Sequence, residues 1–332
     1  MPMPAPASID ATDTRDTAVV LVNLGTPDAP TPKAVRRYLG EFLMDRRVVP
    51  LSRWLWWPLL RLAILPVRSP VVAKKYASIW MHGEEAGSPL AVHTRRLAQA
   101  VQRELPQYRV FDAMRYGQPS LASLIDQLRA QGVRRVLALP LYPQYSTSTT
   151  ASVDDVLARA SGLQVGIVRD YYLDEGWVGA VAASIAGHRA EHGDGDHLLF
   201  SFHGLPQKFV DAGDPYARQC EASARAIARR LGLADADWTL SYQSRFGRDK
   251  WLEPATDATL QRLAERGVRR VDVVAPGFAV DCIETLEEVA MMLAEGFAHR
   301  GGELRYIPCL NDSPAHARAL AALARRTLQD VA

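Results

Sequence analysis

A doubly wound α/β fold made of two similar halves is predicted by three features of the sequence. Short, continuous apolar runs rich in β-forming residues recur along the chain, amphipathic helical patterns lie between them, and several short segments appear twice in the same order. Continuous apolar runs mark parallel strands covered on both faces. Their alternation with helices of ten or so residues gives strand–helix–strand units. At 332 residues the chain is long enough for two domains of about 150 residues each.

In chain order, Ala18–Leu24 (AVVLVNL) is the first predicted strand and ends in the Gly25-Thr26-Pro27 turn. Leu121–Gln131 follows as a helix and Arg135–Leu141 as a strand. The second half repeats the scheme with a strand at His197–Phe202, helices at Cys220–Leu231 and Ala258–Arg266, and a strand at Arg270–Ala275. GVRRV occurs at Gly132–Val136 and again at Gly267–Val271. Arg115-Tyr116-Gly117 is echoed by Arg245-Phe246-Gly247, and NLGTP from Asn23 by FHGLP from Phe202. Three matches in one order indicate an internal repeat. The expected division is residues 18–155, residues 156–312, and a C-terminal helix over 313–332 packing back on the first half.

The first half is longer than the second between its matched segments, which places an insertion near residues 40–90. It holds the run Leu51–Leu65 (LSRWLWWPLLRLAIL), in which 11 of 15 residues are apolar. Interrupted by Arg53, Pro58 and Arg61, the run is too short and too charged to cross a bilayer. It reads as an apolar lip over a cleft, in peripheral contact with a membrane surface.

Composition narrows the function. A net charge of +2 without basic blocks argues against nucleic acid as a partner. Cys220, Cys282 and Cys309 form no CxxC pair, which argues against a structural zinc or a cysteine-held cluster. No glycine-rich phosphate loop follows a strand, so dinucleotide and NTP cofactors are disfavoured. The first 17 residues have neither a basic nor an apolar leader region, which predicts a frayed terminus on a cytoplasmic protein.

Ligands of open parallel sheets bind beyond the carboxyl ends of the strands. That rule selects Gly25–Pro27, Tyr142–Ser152, His203–Pro206 and Pro276–Asp281. His203 stands one residue past a buried strand. Asp281, Glu284 and Glu288, spaced i, i+3, i+7, fall on one face of an α-helix, opposite Ile283, Leu286, Ala290 and Leu293. One imidazole and a row of carboxylates suit a divalent metal or proton transfer. The loop Tyr142–Ser152 carries six Ser and Thr side chains from Ser146 to Ser152. Helix capping uses one or two, leaving Ser146 and Ser148, with the neighbouring Tyr145, for a ligand's anionic groups.

These residues stand in stretches that together resemble the ferrochelatase family from Val19 to about Pro314: LVNLGTPDAP, FLMDRRVV, GSPL, MRYGQPS, PLYPQYSTSTTAS, SFHGLP, SYQSRFG and PGFAVDCIETLEE. The resemblance implies two Rossmann-like domains around a porphyrin cleft and insertion of Fe²⁺ into protoporphyrin IX, with no tightly bound cofactor. It makes His203 and Glu284 the metal-site residues and counts Asp281 and Glu288 in the acidic row. Arg115 and Tyr116 belong to its opposite pocket wall, and Tyr76, Arg68 and Ser88 also match pocket stretches. Trp54, Trp56 and Tyr145 are then stacking partners for the ring. Some relatives carry a cysteine in the YSxST loop and a cysteine-rich tail that holds a [2Fe–2S] cluster. Here Thr147 takes that position and no cysteine follows Cys309, so no cluster is expected. Two readings compete with this one: insertion into coproporphyrin III or a cobalt-accepting ring, and a tetrapyrrole carrier without chemistry.

Overall fold

A computed structural model describes residues 16–247 and 249–330. The frayed terminus expected over the first 17 residues lies outside the described residues as far as residue 15. Thr17 already opens the first strand, and the Asp16 carbonyl accepts from the Arg134 amide at 2.9 Å.

Among the described residues, eight parallel strands form two four-stranded sheets. In the first, β1 (Thr17–Gly25), β2 (Arg109–Tyr116), β3 (Arg135–Pro140) and β4 (Gln164–Ile167) run in the order β2-β1-β3-β4. In the second, β5 (His197–His203), β6 (Trp238–Gln243), β7 (Arg270–Val274) and β8 (Glu303–Ile307) run β6-β5-β7-β8. The identical order is the structural form of the internal repeat. Because β4 pairs with β3, the first sheet extends to Ile167, past the boundary expected at residue 155.

Alternation along each central strand sends side chains to both faces. Ala18, Val20 and Val22 pack under the helices Leu121–Ala130 and Thr150–Leu157, whereas Val19 and Leu21 face a second layer. That layer, with the helices Pro89–Glu104, Glu175–His192, Tyr216–Leu231 and Pro314–Asp330, merges with Leu198, Phe200 and Phe202 of β5 into one core shared by both halves. Val19 through Val22 are fully buried, each contributing about 1.5–3 kcal/mol by leaving water. The C-terminal helix packs on Pro89–Glu104 and on Glu175–His192, bridging the two sheets.

The echo of Arg-aromatic-Gly does not survive as a structural match. Asn23 pairs with Met114 and Phe202 with Tyr242. The amides of Met114 and Tyr242 also donate alike, to the Pro119 and Pro254 carbonyls at 2.7 and 2.9 Å. This makes Gln243 the counterpart of Arg115 and leaves Arg245 two residues further along. Gly25 does belong to the repeat: a Cβ there would lie 1.7 Å from the Tyr116 carbonyl oxygen, and at Gly204 one would lie 2.7 Å from that of Gln243. Each half brings its strand end against its neighbour at a glycine.

The insertion between β1 and β2 contains one long helical segment, Arg53–Ile79, that is π-helical over Leu60–Ile64. Pro58, Pro66 and Pro70 lie within it. Each lacks an amide hydrogen, and a local π turn keeps the rest of the backbone bonded. Among the described residues no helix is long and apolar enough to cross a membrane.

Candidate active site

His203 closes β5, and its Nδ1 stands 2.6 Å from the Gly204 carbonyl oxygen. A carbonyl can only accept, so Nδ1 carries the hydrogen, which leaves Nε2 as the ring's ligand atom, the arrangement of a metal-ligating histidine. Its carbonyl accepts from the Tyr216 hydroxyl at 3.0 Å, and Phe278 lies against the ring with centroids 6.3 Å apart.

The acidic helix differs from the α-helix expected from spacing. Glu284–Leu293 is π-helical, with more than four residues per turn. Its buried row is Thr285, Val289 and Leu293, spaced by four; of the expected apolar face only Leu293 belongs to it, and Ile283, Leu286 and Ala290 are part-exposed. Glu284 and Glu288, also four apart, keep a common face. Asp281 falls before the helix and leaves that face. It is buried, its Oδ1 accepts from Tyr306 at 2.5 Å and Thr285 at 3.0 Å, and its Oδ2 accepts from Asn311 at 2.7 Å. In this structure Asp281 braces the loop that starts the helix.

Glu288 accepts from the Ser244 amide at 2.6 Å and from the Ser244 hydroxyl. Ser244 holds both donors on it from a left-handed backbone, with φ of 66°, a strained conformation of the kind found at functional sites. Burial pushes the Glu288 carboxyl above the ordinary range. The Ser244 bonds and His203 oppose that rise, and the charge of Glu284 adds to it. His203, Glu284 and Glu288 therefore share one electrostatic environment. Gln243 ties the start of the helix to β6 by donating to the Glu284 carbonyl at 2.7 Å.

The facing wall comes from the first half. Tyr76 is buried, and its phenol is held protonated first by burial and then by the nearby Glu284 charge. Lys75, on the same helix, reaches Glu287 at 2.8 Å, an ion pair between the halves. Arg115 and Tyr116 are engaged within the protein: the guanidinium and the hydroxyl both donate to Asp45, at 2.5 and 2.8 Å, and Ser152 joins them at 2.7 Å. Burial works against the Asp45 charge, yet the bonds from Ser152, the Arg47 amide and Tyr116, with the Arg115 charge, hold its carboxyl below the usual range. Arg47 makes two 2.8 Å bonds to Asp155.

The hydroxyl-rich loop also turns inward. Asp214 of the second half accepts from the Ser146 hydroxyl at 2.9 Å and from the Thr147 amide and hydroxyl, each at 2.7 Å. Ser148 pairs with Ser146 at 3.0 Å, and the Tyr145 amide donates to Gln219 at 2.6 Å. The surplus hydroxyls thus join the two halves, and Ser146 is buried rather than free for an anion. Ser88 is likewise buried and accepts from Thr26 at 2.8 Å.

A family model described as Ferrochelatase matches residues 16–328 of the chain. The protein named ferrochelatase of Stenotrophomonas maltophilia is 58% identical over 320 residues, covering 95% of this chain and 99% of that one. The chain belongs to the ferrochelatase family. The ferrochelatases of Xylella fastidiosa and Escherichia coli are 56% and 50% identical over 95% and 92% of the chain. Among solved structures, CbiX, the terminal enzyme of siroheme biosynthesis in denitrifying bacteria, superposes with a TM-score of 0.53 at 16% identity, covering 93% of this chain and 98% of that one. SirB of Bacillus subtilis, solved with Fe³⁺, gives 0.53 at 10% identity, covering 95% and 96%. At those identities the likeness shows the fold alone, a two-domain chelatase architecture.

Ferrochelatases are enzymes with a porphyrin and Fe²⁺ as substrates. In this member Arg68 of the insertion lies 5.7 Å from the centroid of the Phe246 ring of the second half. Trp54 is 91% exposed and projects outward. Trp56 is half-buried, donates from Nε1 to the Leu43 carbonyl at 2.7 Å, and packs with Leu43, Leu60 and Leu65. It anchors the lip, contrary to the expectation of a free stacking partner. Asp45, Asp214, Gln243 and Ser244 were not singled out by spacing. Asp45 stands within FLMDRRVV, and Gln243 and Ser244 within SYQSRFG, so the matching stretches carried the signal. Asp214 had none.

Proposed function

We propose that the chain inserts Fe²⁺ into protoporphyrin IX, releasing two protons and forming protohaem. The observation that carries this reading is the convergence of the free Nε2 of His203, Glu284 and a Glu288 biased toward protonation on one wall, with buried Tyr76 opposite. His203 and Glu284 serve as ligands that take Fe²⁺ from water. As the ion moves to the four pyrrole nitrogens, the two N–H protons pass to His203 and to the carboxylates, and Glu288 hands them outward past Ser244. Strain of about 1–5 kcal/mol in the bound macrocycle, supplied by contacts to its periphery, would expose the nitrogen lone pairs.

Protoporphyrin is favoured over coproporphyrin because Arg115 and Arg47 are neutralised by Asp45 and Asp155. That removes these two cations from those that four propionates would call on. The exposed lip, with Trp54, Leu55 and Leu62 all more than three-quarters exposed, supports peripheral attachment to a membrane that dissolves the less polar porphyrin. Anaerobic mixing with Fe²⁺ and each porphyrin, followed by visible spectra, tests the reading. Faster formation of protohaem supports it; preference for coproporphyrin, or binding without insertion, overturns it.

A further inference from the structure

A cavity of about 660 Å³, lined in part by the Tyr306–Cys309 segment, opens against the end of the helix Glu175–His192. His188 and His192 line it together, one helical turn apart, with Glu191, Ser184, Tyr306 and Cys309 around them. The two imidazole rings meet edge to face with centroids 4.5 Å apart and planes at 89°. Nε2 of His188 is buried and has no hydrogen-bond partner, although buried ring nitrogens are ordinarily satisfied. The neighbouring cations Arg189 and Arg305 are both paired with the buried carboxylate of Asp272, at 2.8 and 2.6 Å, and Glu191 adds a negative charge to the rim.

We infer that His188 and His192 form a second metal site, for a borderline divalent transition ion such as Ni²⁺, Cu²⁺ or Zn²⁺. Two imidazoles at i and i+4 on one helical face are a bidentate chelate for such ions. The unpartnered Nε2 is the ligand atom that the fold leaves without another use. Since no third His, Cys, Asp or Glu side chain closes in among the described residues, water completes the coordination shell and exchange is open. The helix holds the pair in register only in the folded chain, so binding stabilises the native state by mass action.

The test uses EDTA-treated full-length protein and Ni²⁺ by calorimetric titration, in a His203→Ala background that removes the cleft's imidazole. His203→Ala is expected to bind one equivalent of Ni²⁺, and addition of His188→Ala and His192→Ala to weaken binding at least tenfold. With Cu²⁺ in place of Ni²⁺, the electron paramagnetic resonance spectrum of His203→Ala should show coupling to two nitrogens, which His188→Ala alone reduces to one. The double variant without the His203 change should match the wild type in metal-free Tm and in iron insertion. Unchanged Ni²⁺ uptake in the triple variant, or a copper spectrum indifferent to His188, overturns the site. Failure of the cleft assignment would appear separately, as wild-type turnover by His203→Ala.

Discussion

Asp45 is the acceptor on which the first-half wall depends, and Asp45→Ala measures how much. Its side chain is 9% exposed and that of Arg115 17%, so the pair is part-buried. Removing the carboxylate leaves a guanidinium without its partner in low dielectric and takes an acceptor from Tyr116 and Ser152. Breaking a fully buried pair from one side costs about 3–5 kcal/mol, which is the upper bound for this part-buried one. Arg115→Met in the same chain removes the stranded charge, and the double variant should then be more stable than the sum of the singles by about 0.5–3 kcal/mol. Urea denaturation followed by circular dichroism on the four proteins gives both numbers. A single-variant loss below about 1 kcal/mol, or additivity within about 0.5 kcal/mol, would refute the claim that Asp45 and Arg115 act as one unit.

Three further outcomes follow from particular contacts. His316 is fully buried, with Nδ1 2.7 Å from the Asn311 carbonyl, and burial lowers its pKa to about 4. Because the unfolded chain takes up that proton near pH 6.5 and the folded chain only near 4, stability falls as pH drops through that window, by about 3 kcal/mol in all. His316→Gln should flatten the difference, as read from urea midpoints at pH 7 and pH 4.5; an unchanged slope contradicts it. Ser244→Ala removes a bond that favours the charged form of Glu288, so the acid limb of the pH–rate profile should move to higher pH, and a limb that stays or falls is the contrary result. Trp54→Ser, Trp57→Ser and Leu62→Ser together should abolish co-sedimentation with anionic vesicles while each exposed change alters stability by no more than about 0.5 kcal/mol; retained co-sedimentation counts against the lip as a membrane contact.

What the sequence reveals of the fold divides along one physical line. β1, β3, β5 and β7, all visible as apolar runs, are the interior strands of their sheets, whereas β2, β4, β6 and β8, not visible, are the edges. An interior strand is covered on both faces and writes a continuous apolar run. An edge strand is half covered, as in β4, where no residue is fully buried, and its composition merges with loops. The π-helix left no sign of its own in Glu284–Leu293, because its buried row of every fourth residue also fits an α-helix within a turn or two. Hence α-helical spacing and the π-helix both put Glu284 and Glu288 on one face, whereas α-helical arithmetic does not apply to Asp281, which lies before the helix begins. The hydroxyl loop misled for a related reason: Ser146 and Thr147 meet Asp214 across 68 and 67 residues of chain, a pairing that no local pattern encodes.

The account rests on the His203 imidazole and the Glu284 carboxylate acting together on the metal. Stopped-flow spectra of protoporphyrin binding and Fe²⁺ insertion, compared among wild type, His203→Ala and Glu284→Gln, address that directly. The expected result is porphyrin affinity within a few fold of wild type in all three proteins, with insertion lost in His203→Ala and strongly slowed in Glu284→Gln. Insertion by His203→Ala at the wild-type rate would contradict it.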